Sequence, residues 1–239
     1  MTRLNTPMRV IEIFHSLQGE GMLAGVPSVF VRLAGCPFRC RWCDTAYAWD
    51  YAAGEEISAD QIIAQVNRWP CRFVVLTGGE PMMGRDLSIR PGLADLTQRL
   101  KALGKHITIE TSGTLFVPDL ACDLMSISPK LANSSPSPTG VMGAHHADRL
   151  DLETLRGLIH AYPYQLKFVV ESAEDIAEVE VVLGGLGEFA LERVMLMPQA
   201  TTTEELLSRS PAIADACKQT GLRFGQRLHV QLWDRQRGV

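Results

Sequence analysis

The sequence predicts an α/β fold of about six parallel strands behind an N-terminal hairpin. Three observations predict it. Short apolar runs alternate along the chain with segments whose apolar residues recur at helical spacing, the pattern of βαβ units whose sheet is covered on both faces. Most of the runs end in polar or glycine-containing turns, which gathers those turns on the C-terminal edge of the sheet, where α/β folds bind ligands. The strands number fewer than the eight of a closed barrel. No internal repeat, low-complexity tract or linker interrupts residues 1–239, which read as one domain.

The elements follow in order. Met8-Arg9-Val10-Ile11-Glu12-Ile13-Phe14 alternates weakly and forms the first strand, and Ser28-Val29-Phe30-Val31-Arg32-Leu33-Ala34 the second, joined through the glycine-rich stretch Gly19 to Gly25. Ser58 with Gln61 has the form of a capping box, and Ile62, Ile63 and Val66 follow at helical spacing. Phe73-Val74-Val75-Leu76 is a strand ending in Thr77-Gly78-Gly79-Glu80-Pro81. Leu93, Leu96, Leu100 and Leu103 share a helical face, and Gly104 stops that helix. Strand His106–Glu110 ends in Thr111-Ser112-Gly113, and strand Asp123–Ile127 in Ser128-Pro129-Lys130. Residues 131–148, rich in Ser, Pro and Gly, read as a surface loop. A helix over Leu152–His160 leads to strand Gln165–Val170, and Ser172 with Glu174 and Asp175 opens a helix through Leu183. Strand Arg193–Met197 ends in Pro198-Gln199, a helix broken at Pro211 follows, and Leu228-His229-Val230-Gln231-Leu232-Trp233 closes the chain.

Composition narrows the function. The 46% of hydrophobic and 21% of charged residues are those of an ordinary globular protein. With 23 Lys and Arg against 27 Asp and Glu, the net charge of −4 supplies no global basic field for nucleic acid. No apolar run approaches the ~20 residues of a membrane span, and Met1–Pro7 has no apolar secretory core. The chain is therefore expected in the cytoplasm, without membrane or nucleic-acid partners.

The six cysteines divide into two groups. Cys71, Cys122 and Cys217 are scattered along apolar segments and read as inert buried thiols. Cys36, Cys40 and Cys43 stand together in Gly35-Cys36-Pro37-Phe38-Arg39-Cys40-Arg41-Trp42-Cys43-Asp44, and such a cluster in a reducing compartment points to metal or redox chemistry. Zinc takes four protein ligands, or three and a water. A cubane iron–sulfur cluster takes four, so three Cys leave one iron open to bind and activate a small molecule. The spacing alone leaves open a structural zinc knuckle with His15, His106 or His229 as the fourth ligand.

Cys-x3-Cys-x2-Cys directly after a strand, with Trp42 before the last Cys, resembles the signature of the radical S-adenosylmethionine superfamily. The resemblance implies a [4Fe-4S] cluster on Cys36, Cys40 and Cys43, whose open iron chelates the amino and carboxylate groups of S-adenosylmethionine. Thr77-Gly78-Gly79-Glu80-Pro81 resembles the superfamily's Gly-Gly-Glu motif, where backbone holds the methionine ammonium. Further segments narrow the resemblance to the 7-carboxy-7-deazaguanine synthase family: Phe14-His15-Ser16-Leu17-Gln18-Gly19-Glu20-Gly21, Gly25-Val26-Pro27, Val31-Arg32-Leu33, Trp42-Cys43-Asp44-Thr45, Glu110-Thr111-Ser112-Gly113, Ser128-Pro129-Lys130 and Arg227-Leu228-His229-Val230. Together they span nearly the whole chain.

That family resemblance implies an incomplete, modified TIM-type barrel, a homodimer, and flavodoxin or ferredoxin as electron donor. The implied reaction converts 6-carboxy-5,6,7,8-tetrahydropterin to 7-carboxy-7-deazaguanine, with S-adenosylmethionine as a regenerated cofactor and Mg2+ assisting. Hydrogen leaves the carbon bearing the carboxylate, the ring contracts, hydrogen returns and ammonia departs. Substrate contacts are implied for Leu17, Gln18, Gly19, Arg32 and Thr77. Arg32 suits this role because its planar fork pairs bidentately with a carboxylate. Cofactor contacts are implied for Trp42, Cys43, Asp44 and Gly79 near the cluster, for Ser112, Ser128, Pro129 and Lys130 toward ribose and carboxylate, and for Gln199 at the adenine. Thr45 offers magnesium a hard oxygen donor. Glu20, His15, Glu110, Lys130 and Lys167 are candidates for proton movement, and Ala46–Gly54 is expected to pack as a cover over the cluster loop. A glycyl-radical-enzyme activase shares the Cys triad but not Arg32, Gln-Gly-Glu-Gly or Cys43-Asp44-Thr45. A non-catalytic iron–sulfur or zinc protein is the alternative of another class.

Overall fold

Two extended runs joined by a tight connection form a hairpin: Met8–Leu17 (β1) pairs antiparallel with Pro27–Leu33 (β2), closed by a Gly25 N–H to Gln18 carbonyl bond of 2.7 Å. The regular register from the turn brings Glu12 opposite Arg32, and it shifts only beyond that pair, between Glu12 and Val10. The computed structural model describes residues 6–83, 89–136 and 149–239. Glu55–Ile57 (β3) adds antiparallel to the free edge of β1, an edge strand too short and too acidic to be read from the sequence. On the other side of β2 lie Phe73–Gly78 (β4), His106–Thr111 (β5), Leu124–Ile127 (β6), Tyr164–Val170 (β7), Val194–Pro198 (β8) and Arg223–Phe224 (β9), each parallel to its neighbour. The sheet order is β3-β1-β2-β4-β5-β6-β7-β8-β9, so six parallel strands follow the hairpin as expected.

The helices form where the caps and apolar spacing place them. Ala59–Val66 (α1) starts at the Ser58–Gln61 capping box, with Ile62 and Val66 fully buried. Ile89–Ala102 (α2) buries Leu93, Leu96 and Leu100. Leu103 departs from that face and is 53% exposed, because the helix has already ended. Leu152–Ala161 (α3) is capped by Asp151, and Ala173–Leu186 (α4) by Asp175, whose carboxylate accepts from the N–H groups of Glu171 and Ser172. All seven residues of β7 are buried, as a parallel strand covered on both faces requires.

Two further differences from the sequence reading stand out. Thr203–Thr220 (α5) passes through Pro211 without a break. Pro211 removes the N–H that would bond the Leu207 carbonyl, and it does so on the solvent side of the helix, where Leu207 is 68% exposed. The sixth parallel strand is the two-residue β9, which the sequence reading did not name, and the last apolar stretch, Leu228–Trp233, to which it gave no element type, is a short helix (α6). Of the expected loop 131–148, residues 137–148 lie outside the described residues, as do Met1–Asn5 of the N-terminal reading. Among the described residues no helix is long and apolar enough to cross a membrane.

Candidate functional site

The C-terminal ends of β2, β4, β5, β6, β7 and β8 open into one cavity of about 630 Å³. The cluster loop leaves β2 and is held from both sides. The Gly35 and Cys36 N–H groups donate to the carbonyls of Ala48 and Trp49, at 2.8 and 3.2 Å, and the Arg41 N–H to that of Ser134 at 3.0 Å. The segment Ala46–Gly54 therefore pins the loop, and Tyr47 and Trp49 also line the cavity. Cys36, Cys40 and Cys43 all line it. Burial pushes the Cys36 thiol up to about 12 and raises that of Cys40. Thr45 Oγ1 stands 3.6 Å from Cys43 Sγ at the start of the short helical turn Ala46–Ala48.

The Gly-Gly-Glu turn packs against this loop. Gly78 has φ of 145°, and a Cβ at Gly79 would overlap the Gly35 carbonyl and come within 2.8 Å of Cys36 Cβ. Glycine is required there by the approach of the cluster loop itself. Glu80 is 2% exposed and accepts four hydrogen bonds: from Thr111 Oγ1 (2.8 Å), Ser112 N (2.7 Å), Ser112 Oγ (2.6 Å) and Met82 N (3.3 Å). It ties the end of β4 to the end of β5.

The same cavity has a charged floor. Lys167, from the middle of β7, is 3% exposed and reaches Glu20 Oε2 at 3.0 Å and Glu110 Oε1 at 3.6 Å. Arg227 donates to Glu20 Oε1 (3.0 Å), Asp44 Oδ2 (2.8 Å) and the Ala200 carbonyl (2.6 Å). Burial disfavours the Glu20 carboxylate, but Lys167 and Arg227 outweigh it and bring it down to about 2. Asp44 is likewise held well below the usual range by His229 and Arg227 against its burial. Lys167 is raised, because Glu20 and Glu110 overcome its desolvation. The Gln18 amide is fixed between these groups: Nε2 donates to Glu110 Oε1 at 3.2 Å and Oε1 accepts from the Glu20 N–H at 3.1 Å.

At the rim, Arg32 lies between aromatic faces, with its guanidinium carbon 5.7 Å from the Phe14 ring centre and 5.8 Å from that of Tyr47. Its Nε donates to Glu12 Oε1 at 2.8 Å. Tyr47 OH donates to the same oxygen at 2.9 Å, and Arg237 Nε to Oε2 at 2.9 Å. Burial opposes ionisation of Glu12, yet these donors, led by Arg32, hold its carboxyl below the ordinary value.

The cavity gathers Leu17, Gln18, Gly19, Arg32 and Thr77 in one place with Trp42, Cys43, Asp44, Thr45, Gly79, Ser112, Ser128 and Lys130. Pro129 and Gln199 do not line it: Pro129 is buried, and the Gln199 side-chain oxygen is taken by Arg209. Of the candidates for proton movement, Glu20, Glu110, Lys130 and Lys167 line the cavity. His15 is exposed and stacks on Trp69 at 6.0 Å. His106 packs on Phe73 where β4 and β5 begin, at the opposite end of those strands from the thiols, so neither His15 nor His106 is placed as a fourth ligand. Three thiols on a cavity also lined by Lys130, which lies over the Trp42 ring of the cluster loop, and by Ser112 and Ser128 fit a cluster with one open iron and an anionic, hydroxyl-bearing ligand. Sequence reasoning gave no site role to Ser16 or Glu12, and read Tyr47 only as part of the cover over the cluster loop. Ser16 lines the cavity with a hydroxyl that has no partner among the described residues. A Glu facing an Arg across a hairpin is a signal for the second, but the register depends on where the connection between the strands begins and ends, which the sequence leaves open.

Comparison with known proteins agrees with this geometry. The sequence pattern of the radical SAM superfamily matches residues 30–132. A 7-carboxy-7-deazaguanine synthase of Halobacterium salinarum is 42% identical over 236 residues, covering 93% of this chain and 89% of its own. One from Pyrobaculum aerophilum is 39% identical, covering 97% of both chains. The crystal structure of QueE from Escherichia coli superposes with a TM-score of 0.70 at 26% identity, over 93% of this chain and 95% of that one.

Proposed function

The chain belongs to the 7-carboxy-7-deazaguanine synthases of the radical S-adenosylmethionine superfamily, and on that premise we propose how its residues divide the work. The reaction is the conversion of 6-carboxy-5,6,7,8-tetrahydropterin to 7-carboxy-7-deazaguanine in queuosine biosynthesis, a lyase reaction that contracts a ring and releases ammonia. The family implies a [4Fe-4S] cluster and S-adenosylmethionine, which when bound supply the radical that starts the chemistry. The observation that carries the assignment of residues is the single cavity shared by the Cys triad, Arg32, Gln18 and the charged floor.

In this reading Cys36, Cys40 and Cys43 hold the cluster. Gly79, Ser112, Ser128 and Lys130 receive S-adenosylmethionine, with Trp42 and Asp44 beside it. Arg32, with Nε occupied by Glu12, turns its two Nη atoms to the substrate carboxylate. Gln18, fixed on both sides of its amide, reads the pterin edge together with the backbone of Leu17 and Gly19, and Thr77 adds a hydroxyl. Lys167 Nζ, the proton-bearing atom between Glu20 and Glu110, balances charge beneath the ring as nitrogen departs. Thr45 supplies one oxygen to Mg2+, which keeps several waters and takes few protein ligands. A homodimer and electron delivery by flavodoxin or ferredoxin belong to the same proposal and rest on the family resemblance.

The test is anaerobic turnover of the reconstituted protein with S-adenosylmethionine and 6-carboxytetrahydropterin, following ammonia and deazaguanine. Cleavage of S-adenosylmethionine without either product would point to a different radical enzyme. One zinc per chain without sulfide would end the reading altogether.

A further inference from the structure

The geometry points to Glu12 as the residue that positions Arg32, and through it the substrate carboxylate; this deepens the proposed function and rests on Arg32 being the carboxylate site. The regular register of the hairpin is the local cause. The unbroken pairing from Leu17 and Pro27 through Ile13 and Val31 sets Glu12 directly opposite Arg32, on the same face of the sheet, and the register shifts only beyond this pair, toward Val10. Both side chains are largely withdrawn from solvent, at 17% and 13% exposure.

The contacts are arranged to orient a plane and not merely to neutralise a charge. The faces of Phe14 and Tyr47 restrain the tilt of the guanidinium but leave rotation within its plane free. The 2.8 Å bond from Nε to Glu12 Oε1 removes that rotation. Glu12 itself is held at both oxygens, by Tyr47 OH on the side of Arg32 and by Arg237 on the other. Among the described residues Arg32 donates to Glu12 alone, so its terminal Nη pair keeps its donors for a planar anion. A bidentate pair demands such pre-setting, because both hydrogen bonds form only when the two planes coincide.

A neutralising role and a positioning role give opposite results. If Glu12 merely offsets charge, its removal frees Arg32 from a competing anion and carboxylate binding tightens. If it positions Arg32, removal weakens carboxylate binding and leaves the rest of the ligand untouched. The experiment is equilibrium binding of 6-carboxypterin, and of pterin lacking the carboxylate, to reconstituted holoenzyme with S-adenosylmethionine, at matched iron and sulfide content. Glu12→Ala is expected to lose about ten- to a hundredfold in affinity for 6-carboxypterin, the worth of one charge-assisted hydrogen bond, with pterin binding unchanged. Glu12→Gln, whose amide oxygen still accepts from Arg32 Nε, is expected to lose less, with the same ligand selectivity. It carries the test if the Ala variant does not reconstitute. Unchanged or tighter binding of 6-carboxypterin, or an equal loss for both ligands, overturns the proposal. Arg32→Ala separates the two levels. If it leaves the preference for the carboxylated ligand intact, Arg32 is not the carboxylate site and the underlying reading fails. If it abolishes the preference while both Glu12 variants keep it, only the role of Glu12 fails.

Discussion

Replacing Glu80 by Gln changes one buried oxygen to an amide nitrogen and nothing else, which makes it a sharp probe of how the two turns at the sheet edge are joined. At the Oε2 position the amide would face the Ser112 backbone N–H, a fixed donor 2.7 Å away, and the Ser112 hydroxyl at 2.6 Å. At the Oε1 position it would face the Thr111 hydroxyl at 2.8 Å, which can rotate to accept, and the longer Met82 N–H bond of 3.3 Å. The side chain should therefore turn its nitrogen toward Thr111 and Met82 and keep both bonds from Ser112. The loss is that of one hydrogen bond to a charged group, about 1.5–3 kcal/mol. For a chain of this size that lowers the thermal midpoint by roughly 3–12 °C. Glu80→Ala strands all four donors in a site that is 2% exposed and should cost well over twice as much. Because Glu80 ties β4 to β5, S-adenosylmethionine affinity should fall by about tenfold in the Gln variant while the cluster still assembles. The assays are thermal denaturation and equilibrium binding of S-adenosylmethionine to anaerobically reconstituted protein. A Gln variant as stable as the wild type, with unchanged affinity, would refute the assignment of Glu80 as the tie between the turns.

Four further outcomes are expected. Cys36→Ala, Cys40→Ala or Cys43→Ala abolishes the reconstituted cluster and turnover, while Cys71→Ala, Cys122→Ala and Cys217→Ala leave both nearly intact, as iron and sulfide analysis will show. Arg32→Ala loses two to four orders of magnitude in kcat/KM, from two charged hydrogen bonds at about 1.5–3 kcal/mol each, and Arg32→Lys recovers part of it, with reductive cleavage of S-adenosylmethionine as the control. Thr45→Ala flattens the response of turnover to added magnesium and Thr45→Ser preserves more of it; an unchanged magnesium titration in the Ala variant removes the role. The depressed Glu20 carboxyl contributes stability that is complete above its ordinary value of 4.5 and is lost as pH falls toward about 2. Lys167→Met removes one of its two nearest cations, so the acid limb of stability moves to higher pH, which thermal midpoints measured from pH 2 to pH 6 will detect.

The sequence by itself determined the order of strands and helices and the identity of the cluster loop. Alternating apolar runs, the Ser58–Gln61 cap and the Cys-x3-Cys-x2-Cys spacing are written over a few consecutive residues, and local geometry translates them directly: a turn after a parallel strand must emerge at one edge of the sheet. That is why Cys36, Gly79, Ser112 and Ser128 were legible as neighbours before any contact was known. The local pattern failed where solvent or a remote partner decides the outcome. Pro211 was read as a break, and the exposed face of α5 absorbs it. Leu103 fits the apolar face of α2 in spacing and lies beyond the helix end. Only the tertiary structure decided the charges of the site. Arg227 meets Glu20 across 207 positions and Asp44 across 183, Lys167 is driven into the floor between two carboxylates, and the register of the hairpin sets Glu12 against Arg32. A buried charge is tolerable only beside its partner, and which partner stands there depends on strand order, register and the path of the last segment over the cavity, none of which a periodicity of two or 3.6 residues encodes.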